Sequence, residues 1–380
     1  MRWHDQLETR HREGQLPGLD DAVTRTFDAP EALGAQFHEI HAKSVLNRVP
    51  GASRMPFGWT VNTYRGCLHR CKYCFARPTH EYLDLNAAED FDRQIIVKVN
   101  APEVLRAQLR RPSWTFEHIA LGTNTDPYQW VEKRYRLTRA VLEVLLEARN
   151  PCSVLTKSPL LLRDLDVFQE LRAVTEFSAC LSIPTLDEKA WRSTEPGTPH
   201  PRKRLEAVAQ LNAAGIPAGV LVAPLMPGIN DSEDQVARVV DACREAGATR
   251  VGGQALFLRG ATKDVFMGYL RAQRPDLVPM YERLYGTGKG AYLPNEVKQR
   301  VEAPLRARAR SYRPELAPRF QRDAGDGGTP GGGPPPHDQA ERRARGSAVA
   351  RDARQARTAI RDAVDEGERR QPPARQKALF

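Results

Sequence analysis

From Trp59 onward, short apolar runs alternate with longer stretches whose apolar positions recur every three or four residues. The short runs, 58–63, 119–122, 153–156, 177–183, 218–223 and 250–255, have the length of buried strands. Between them, 134–149 places Leu137, Val141, Val144, Leu145 and Ala148 on one helix face, and 231–247 does so with Val236, Val239, Val240 and Cys243. Asp231-Ser-Glu-Asp marks a helix start, with acids set against the positive end of the helix dipole. Strand alternating with helix predicts an α/β fold, a parallel sheet wrapped by helices. Six such units are too few for a closed eight-stranded barrel. Periodicity leaves a partial barrel and a doubly wound sheet both open.

The flanks read differently. Residues 1–56 form a polar N-terminal extension broken by Pro17, Pro30, Pro50 and Pro56, with one short helix expected over 32–42. The core spans 57–260. A helical extension succeeds it over 261–320, where Val265, Phe266, Tyr269, Leu270, Tyr281 and Leu284 are available for packing. The Gly/Pro-rich run 325–336 cannot build a core, and the stretch beyond it is rich in Ala, Arg, Asp and Glu, so 321–380 is expected to be a disordered basic tail.

Composition narrows the class. A 41% hydrophobic content suffices for a core in 380 residues, and no 18-residue apolar run offers a membrane span. The N-terminus lacks the apolar stretch of a signal peptide, so a cytoplasmic protein with no membrane partner is expected. A formal net charge of +10 favours anionic partners, nucleic acid among them.

The chemistry concentrates in one loop. Three of the six cysteines, Cys67, Cys71 and Cys74, fall within eight residues at Cys-x3-Cys-x2-Cys spacing. Short-spaced cysteines in a non-secreted chain read as metal ligands. Thiolates are what iron–sulfur clusters use, and three of them would leave one iron of a 4Fe–4S cluster open. The competing reading is a non-enzymatic, zinc-binding nucleic-acid protein, with His69 or His80 completing a tetrahedral site. Cys152 and Cys243 read as small buried hydrophobes; Cys180 shares a strand face with Ser178 and Ser182.

Cys67-x3-Cys71-x-Tyr73-Cys74 resembles the radical S-adenosylmethionine signature. Tyr-Arg-Gly-Cys67, Gly122-Thr-Asn-Thr-Asp-Pro-Tyr-Gln129, Thr156-Lys-Ser158, Glu195-Pro196 and Ala223-Pro-Leu-Met-Pro-Gly-Ile-Asn-Asp231 resemble its spore-photoproduct-lyase-like branch, often labelled DNA repair photolyase. The resemblance implies an open, partial (β/α)6 TIM-type barrel. It implies a 4Fe–4S cluster on the three cysteines and S-adenosylmethionine as cofactor. Cleavage of the latter gives a 5′-deoxyadenosyl radical that abstracts hydrogen from a substrate, with a nucleic-acid lesion as the candidate in that branch. It also implies a reductase or a flavodoxin- or ferredoxin-type electron donor. By the same resemblance, Tyr73 lies near the adenine, and Lys157, Ser182, Arg192 and Glu195 are candidates for the methionyl and ribose groups. Where relatives carry a Gly-Gly-Glu-like segment, this chain offers Thr123, Asn124, Thr125 and Asp126. Thr123 also replaces the cysteine hydrogen donor of spore photoproduct lyases, which argues against thymine-dimer repair by their route.

Overall fold

The computed structural model describes residues 22–32, 34–50 and 55–310. The expected tail over 321–380 lies outside the described residues. Eleven strands form two sheets: β1 (Val23–Arg25), β2 (Gln36–Ile40), β3 (Leu46–Arg48), β4 (Trp59–Val61), β5 (Tyr64–Arg65), β6 (Gln94–Lys98), β7 (Ile119–Leu121), β8 (Cys152–Thr156), β9 (Phe177–Ser182), β10 (Ala218–Leu225) and β11 (Val251–Ala255).

The larger sheet runs β11-β10-β9-β8-β7-β4-β3. Its six strands from β4 to β11 are parallel and adjacent in chain order, while β3 adds an antiparallel edge. These are the six strands the apolar runs predicted. The sequential order is that of barrel-type winding, since a doubly wound sheet reverses direction at a switch point. Helices cover the outer face, where Leu105, Val141, Leu145, Phe168, Leu211 and Val240 are all completely buried. Along β8, Cys152, Val154 and Thr156 are buried, whereas Ser153 and Leu155, on the other face, are half-buried. The inner face is thus more open, as befits one that holds a site.

The helices also follow the predicted periodicity, with one break. Residues 132–147 form Glu132–Tyr135 and Leu137–Glu147, separated by Arg136 in the left-handed region at φ 53°. The helix Glu233–Glu245 starts where Ser232 accepts a hydrogen bond from the Gln235 amide, a conventional N-cap. Beyond the sheet, Ala261–Gln273, Val278–Tyr285 and Asn295–Arg310 are helical.

One expectation fails. Residues 36–40 are strand β2, not part of a helix. Phe37 and His38 are buried there, and β2 pairs antiparallel with β1 and parallel with β6 in the smaller sheet, β1-β2-β6-β5. Five residues whose burial depends on distant β6 carry too short a pattern to outweigh local helix propensity. This sheet matters to the site because β5 runs directly into the cysteine loop, and the Cys67 amide donates to the Phe91 carbonyl at 3.0 Å.

Candidate active site

The segments after β4, β7, β8 and β11, with the ends of β9 and β10, converge on one pocket at the C-terminal ends of the parallel strands. Its walls include Cys67, Cys71 and Cys74, Thr123 to Asp126, Lys157 and Ser182.

The cysteine loop is held from several sides. Within it, the Arg70 amide donates to the Cys67 carbonyl and the Cys74 amide to the Cys71 carbonyl, each at 3.4 Å, with Arg70 at φ 57°. Arg77, only 1% exposed, donates to the Cys71 carbonyl at 3.0 and 3.1 Å, to those of Ala87 and Ala88, and to Asp92. Arg77 is therefore a brace. From the segment after β7, Thr125 and Gln129 donate to the Gly66 carbonyl, and Gln129 accepts from the Leu68 amide. From the segment after β9, the Thr194 carbonyl accepts from the Lys72 amide, and the Gly197 amide donates to the His69 carbonyl at 3.0 Å.

Gly197 is there for space. A Cβ at this position would stand 2.1 Å from the Leu68 carbonyl oxygen, a backbone atom that cannot swing aside. Gly197→Ala is expected to cost about 1–3 kcal/mol as the two segments are forced apart. Thermal unfolding of the variant would check this; an unchanged midpoint would show that the segments separate freely.

Behind the pocket lies a buried charge cluster. Glu195, completely buried, accepts from the Tyr73 hydroxyl, pairs with Lys157 Nζ at 2.8 Å and with Arg204 Nη2 at 2.7 Å. Burial pushes this carboxyl up, but Arg204, Lys157 and the donated hydrogen bonds outweigh it and hold it at about 2. Lys157 Nζ also donates to Ser182 Oγ at 2.7 Å and lies 5.5 Å from the centre of the Tyr73 ring. Tyr73, Lys157, Ser182 and Glu195, scattered over more than 120 residues, thus form one array.

A second hub is Asp126. Its carboxylate accepts from Thr156 Oγ1 at 2.6 Å and from the amides of Lys157 and Tyr128, and it faces His69 Nδ1 at 3.2 Å. Burial raises its carboxyl, while His69 and these donors bring it below the usual range. Thr123 Oγ1 and the Asn124 amide bond to the Asn62 side chain. Thr125 is committed to Gly66, which leaves Thr123 and the exposed Asn124 nearer the open space.

Arg192 is not with the others. It projects from the helix Glu188–Thr194 into solvent and pairs with Glu188 one turn earlier, outside this pocket. Cys180 does not line the pocket either; it sits level with Leu155 and Gly219, two residues before Ser182. Sequence reasoning missed Arg204, Asn62 and the bracing role of Gln129. A buried arginine whose partner is nine residues upstream leaves no periodic signal, whereas Gln129 stands inside the Gly122–Gln129 motif.

The donor set fits an iron–sulfur cluster. Three free thiols face one pocket, and burial pushes each of them up, so only a positive metal centre would hold them as thiolates. His69 is engaged with Asp126, and His80, completely buried, packs on Phe91 and bonds the Gln94 carbonyl. Among the described residues no three Cys, His, Asp or Glu side chains gather around a single-ion position. Among the described residues, too, no helix is long and apolar enough to cross a membrane.

Residues 61–240 match the family described as the Radical SAM superfamily. An uncharacterised protein of Mycobacterium tuberculosis is 45% identical over 302 residues, covering 78% of this chain and 88% of its own. An uncharacterised protein of Methanocaldococcus jannaschii is 29% identical over 197 residues, 51% of this chain and 70% of its own. The fold resembles spore photoproduct lyase complexed with dinucleoside spore photoproduct, at TM-score 0.57 and 16% identity over 79% of this chain and 84% of that one. A spore photoproduct lyase double mutant with bound AdoMet and dinucleoside spore photoproduct gives TM-score 0.54 at 17% identity, over 72% and 78%.

Proposed function

Because the chain belongs to the radical SAM superfamily, and so is an enzyme, we propose that it reductively cleaves S-adenosylmethionine at a 4Fe–4S cluster held by Cys67, Cys71 and Cys74. The supporting observation is the convergence of three thiols, two buried and one half-buried, and the Tyr73–Lys157–Ser182–Glu195 array on one side of the barrel. When bound, the cluster supplies the electron that splits the sulfonium into methionine and a 5′-deoxyadenosyl radical.

The chain's own contribution is positioning and charge. Lys157, with its side chain 14% exposed, is the cation at the pocket wall suited to the methionyl carboxylate. Glu195 stays ionised behind it, fixing the ammonium and keeping Tyr73 in place beside the cysteines. Ser182, Thr123 and Asn124 offer hydroxyl and amide groups to the ribose and the methionyl amine. Arg192, exposed and outside the pocket, has no part in this binding. A one-electron reductant, a reductase or a flavodoxin- or ferredoxin-type protein, completes the system.

The substrate class this reading favours is a nucleic-acid lesion. Phe75, 56% exposed, and Phe257, packed against Tyr292 with centroids 4.6 Å apart, border the same pocket and suit a planar base. The likeness to a lyase solved with a dinucleoside photoproduct points the same way. Thr123 in place of a thiol argues against repair of that particular photoproduct by the same hydrogen return.

The reading is tested by giving the anoxically reconstituted protein dithionite and S-adenosylmethionine. Slow formation of 5′-deoxyadenosine without substrate is expected. A fully loaded protein that forms none would refute it.

A further inference from the structure

Side chains of the cysteine loop face two separate cavities. Cys67, His69, Cys71, Tyr73 and Cys74 line the active-site pocket, whereas Arg70 and Lys72 line a separate groove of about 1020 Å³. Lys189 and Arg192, from the helix Glu188–Thr194, form its second wall. Val265, Gly268 and Ala272, recurring at helical spacing along Ala261–Gln273, supply a floor of small and apolar residues.

The charge of this groove is unbalanced. It holds four cations against the single carboxylate of Glu188, which pairs with Arg192. Among the described residues, the side chains of Arg70, Lys72 and Lys189 have no hydrogen-bond or ion-pair partner. Asp92, which lies within electrostatic reach of Arg70 and Lys72, is already bound by Arg77. Like charges gathered on a concave wall raise the local potential and draw an anionic partner. A small apolar floor with a charged rim is the anatomy of a protein–protein contact.

The position says which anion. A substrate lying here would be outside the active-site pocket, and hydrogen abstraction requires contact with the radical. An electron needs no contact, and Arg70 and Lys72 of the groove flank Cys71 in the chain. We propose that this groove docks an acidic one-electron carrier protein, of flavin or iron–sulfur type, that reduces the cluster; this rests on the cluster reading above. In the docked complex one electron leaves the carrier's reduced cofactor and enters the cluster. The carrier is oxidised by one electron and the cluster reduced by one, with no bond made and no proton transferred.

The test uses reconstituted holoprotein and a purified bacterial flavodoxin, with Lys189→Glu as the first variant and Lys72→Gln as the second. Lys189 is exposed and does not line the active-site pocket. Lys189→Glu is expected to raise the flavodoxin Kd about tenfold at low salt, with the difference shrinking as salt rises. Flavodoxin-driven 5′-deoxyadenosine formation should fall in step at subsaturating carrier, while dithionite-driven formation stays unchanged. Unchanged flavodoxin affinity in both variants, with dithionite-driven cleavage intact in the wild type, would overturn the docking alone. So would variants that weaken binding of a short oligonucleotide but not of flavodoxin, which would assign the groove to nucleic acid. Absence of dithionite-driven cleavage in the wild type would instead remove the cluster reading, and the docking with it.

Discussion

Glu195→Gln is expected to destabilise the protein by about 3–5 kcal/mol, the usual cost of breaking a buried ion pair from one side. The amide keeps the shape of the carboxyl but not its charge. Lys157 and Arg204, whose side chains are 14% and 0% exposed, would then face each other with no anion between them. Their desolvation is not recovered, and Tyr73 loses a charged acceptor. A loss of this size lowers the thermal midpoint by roughly 10 °C in a domain of this size.

The same carboxyl sets a pH signature. Its folded value of about 2 lies below the ordinary 4.5, so its contribution is complete above about pH 4.5 and is lost as pH falls toward 2. Urea unfolding of wild type and Glu195→Gln at pH 7 and at pH 3 would show the gap narrowing in acid. A gap below about 1 kcal/mol at pH 7 would mean that the cluster relaxes around the lost charge.

The second large effect concerns iron. Cys67→Ala, Cys71→Ala or Cys74→Ala is each expected to abolish uptake of about four irons and four sulfides per chain during anoxic reconstitution. Two thiolates do not hold a cluster whose fourth iron has no protein ligand. Cys152→Ala, Cys180→Ala and Cys243→Ala should load normally: Cys152 and Cys243 are completely buried in the core, and none of the three lines the pocket. Full iron loading of Cys71→Ala, or stoichiometric zinc in the wild type, would contradict the assignment.

The part of the fold and site that could be read from the sequence is divided from the rest by a physical line. Most of the six parallel strands were visible as short apolar runs between helical stretches, whereas β11, Val251-Gly-Gly-Gln-Ala255, was placed by its position after the helix Glu233–Glu245. The cysteine loop was visible because its ligands are close in sequence. Strand β2 was not, because its burial depends on pairing with β6 more than fifty residues away. Lys157 and Glu195 could be named from motif phrases and Ser182 from its place at a strand end, but their mutual contacts could not. Arg204 could not be named at all, since a charged residue on a helix looks the same whether it faces water or a buried carboxylate. Arg192 was a candidate because it lies with Glu195 in the segment after the fourth strand and its guanidinium suits a carboxylate. The helix ends at Thr194, so helical spacing no longer sets the direction of Glu195, which turns inward while Arg192 turns out.

The central claim is that three cysteines leave one iron of the cluster free to bind S-adenosylmethionine. Its most direct test is the electron paramagnetic resonance spectrum of the reduced, reconstituted protein with and without that cofactor. The account predicts a reduced-cluster signal whose shape and g-values change when S-adenosylmethionine is added. A fully loaded cluster whose spectrum is unmoved by saturating S-adenosylmethionine would contradict it.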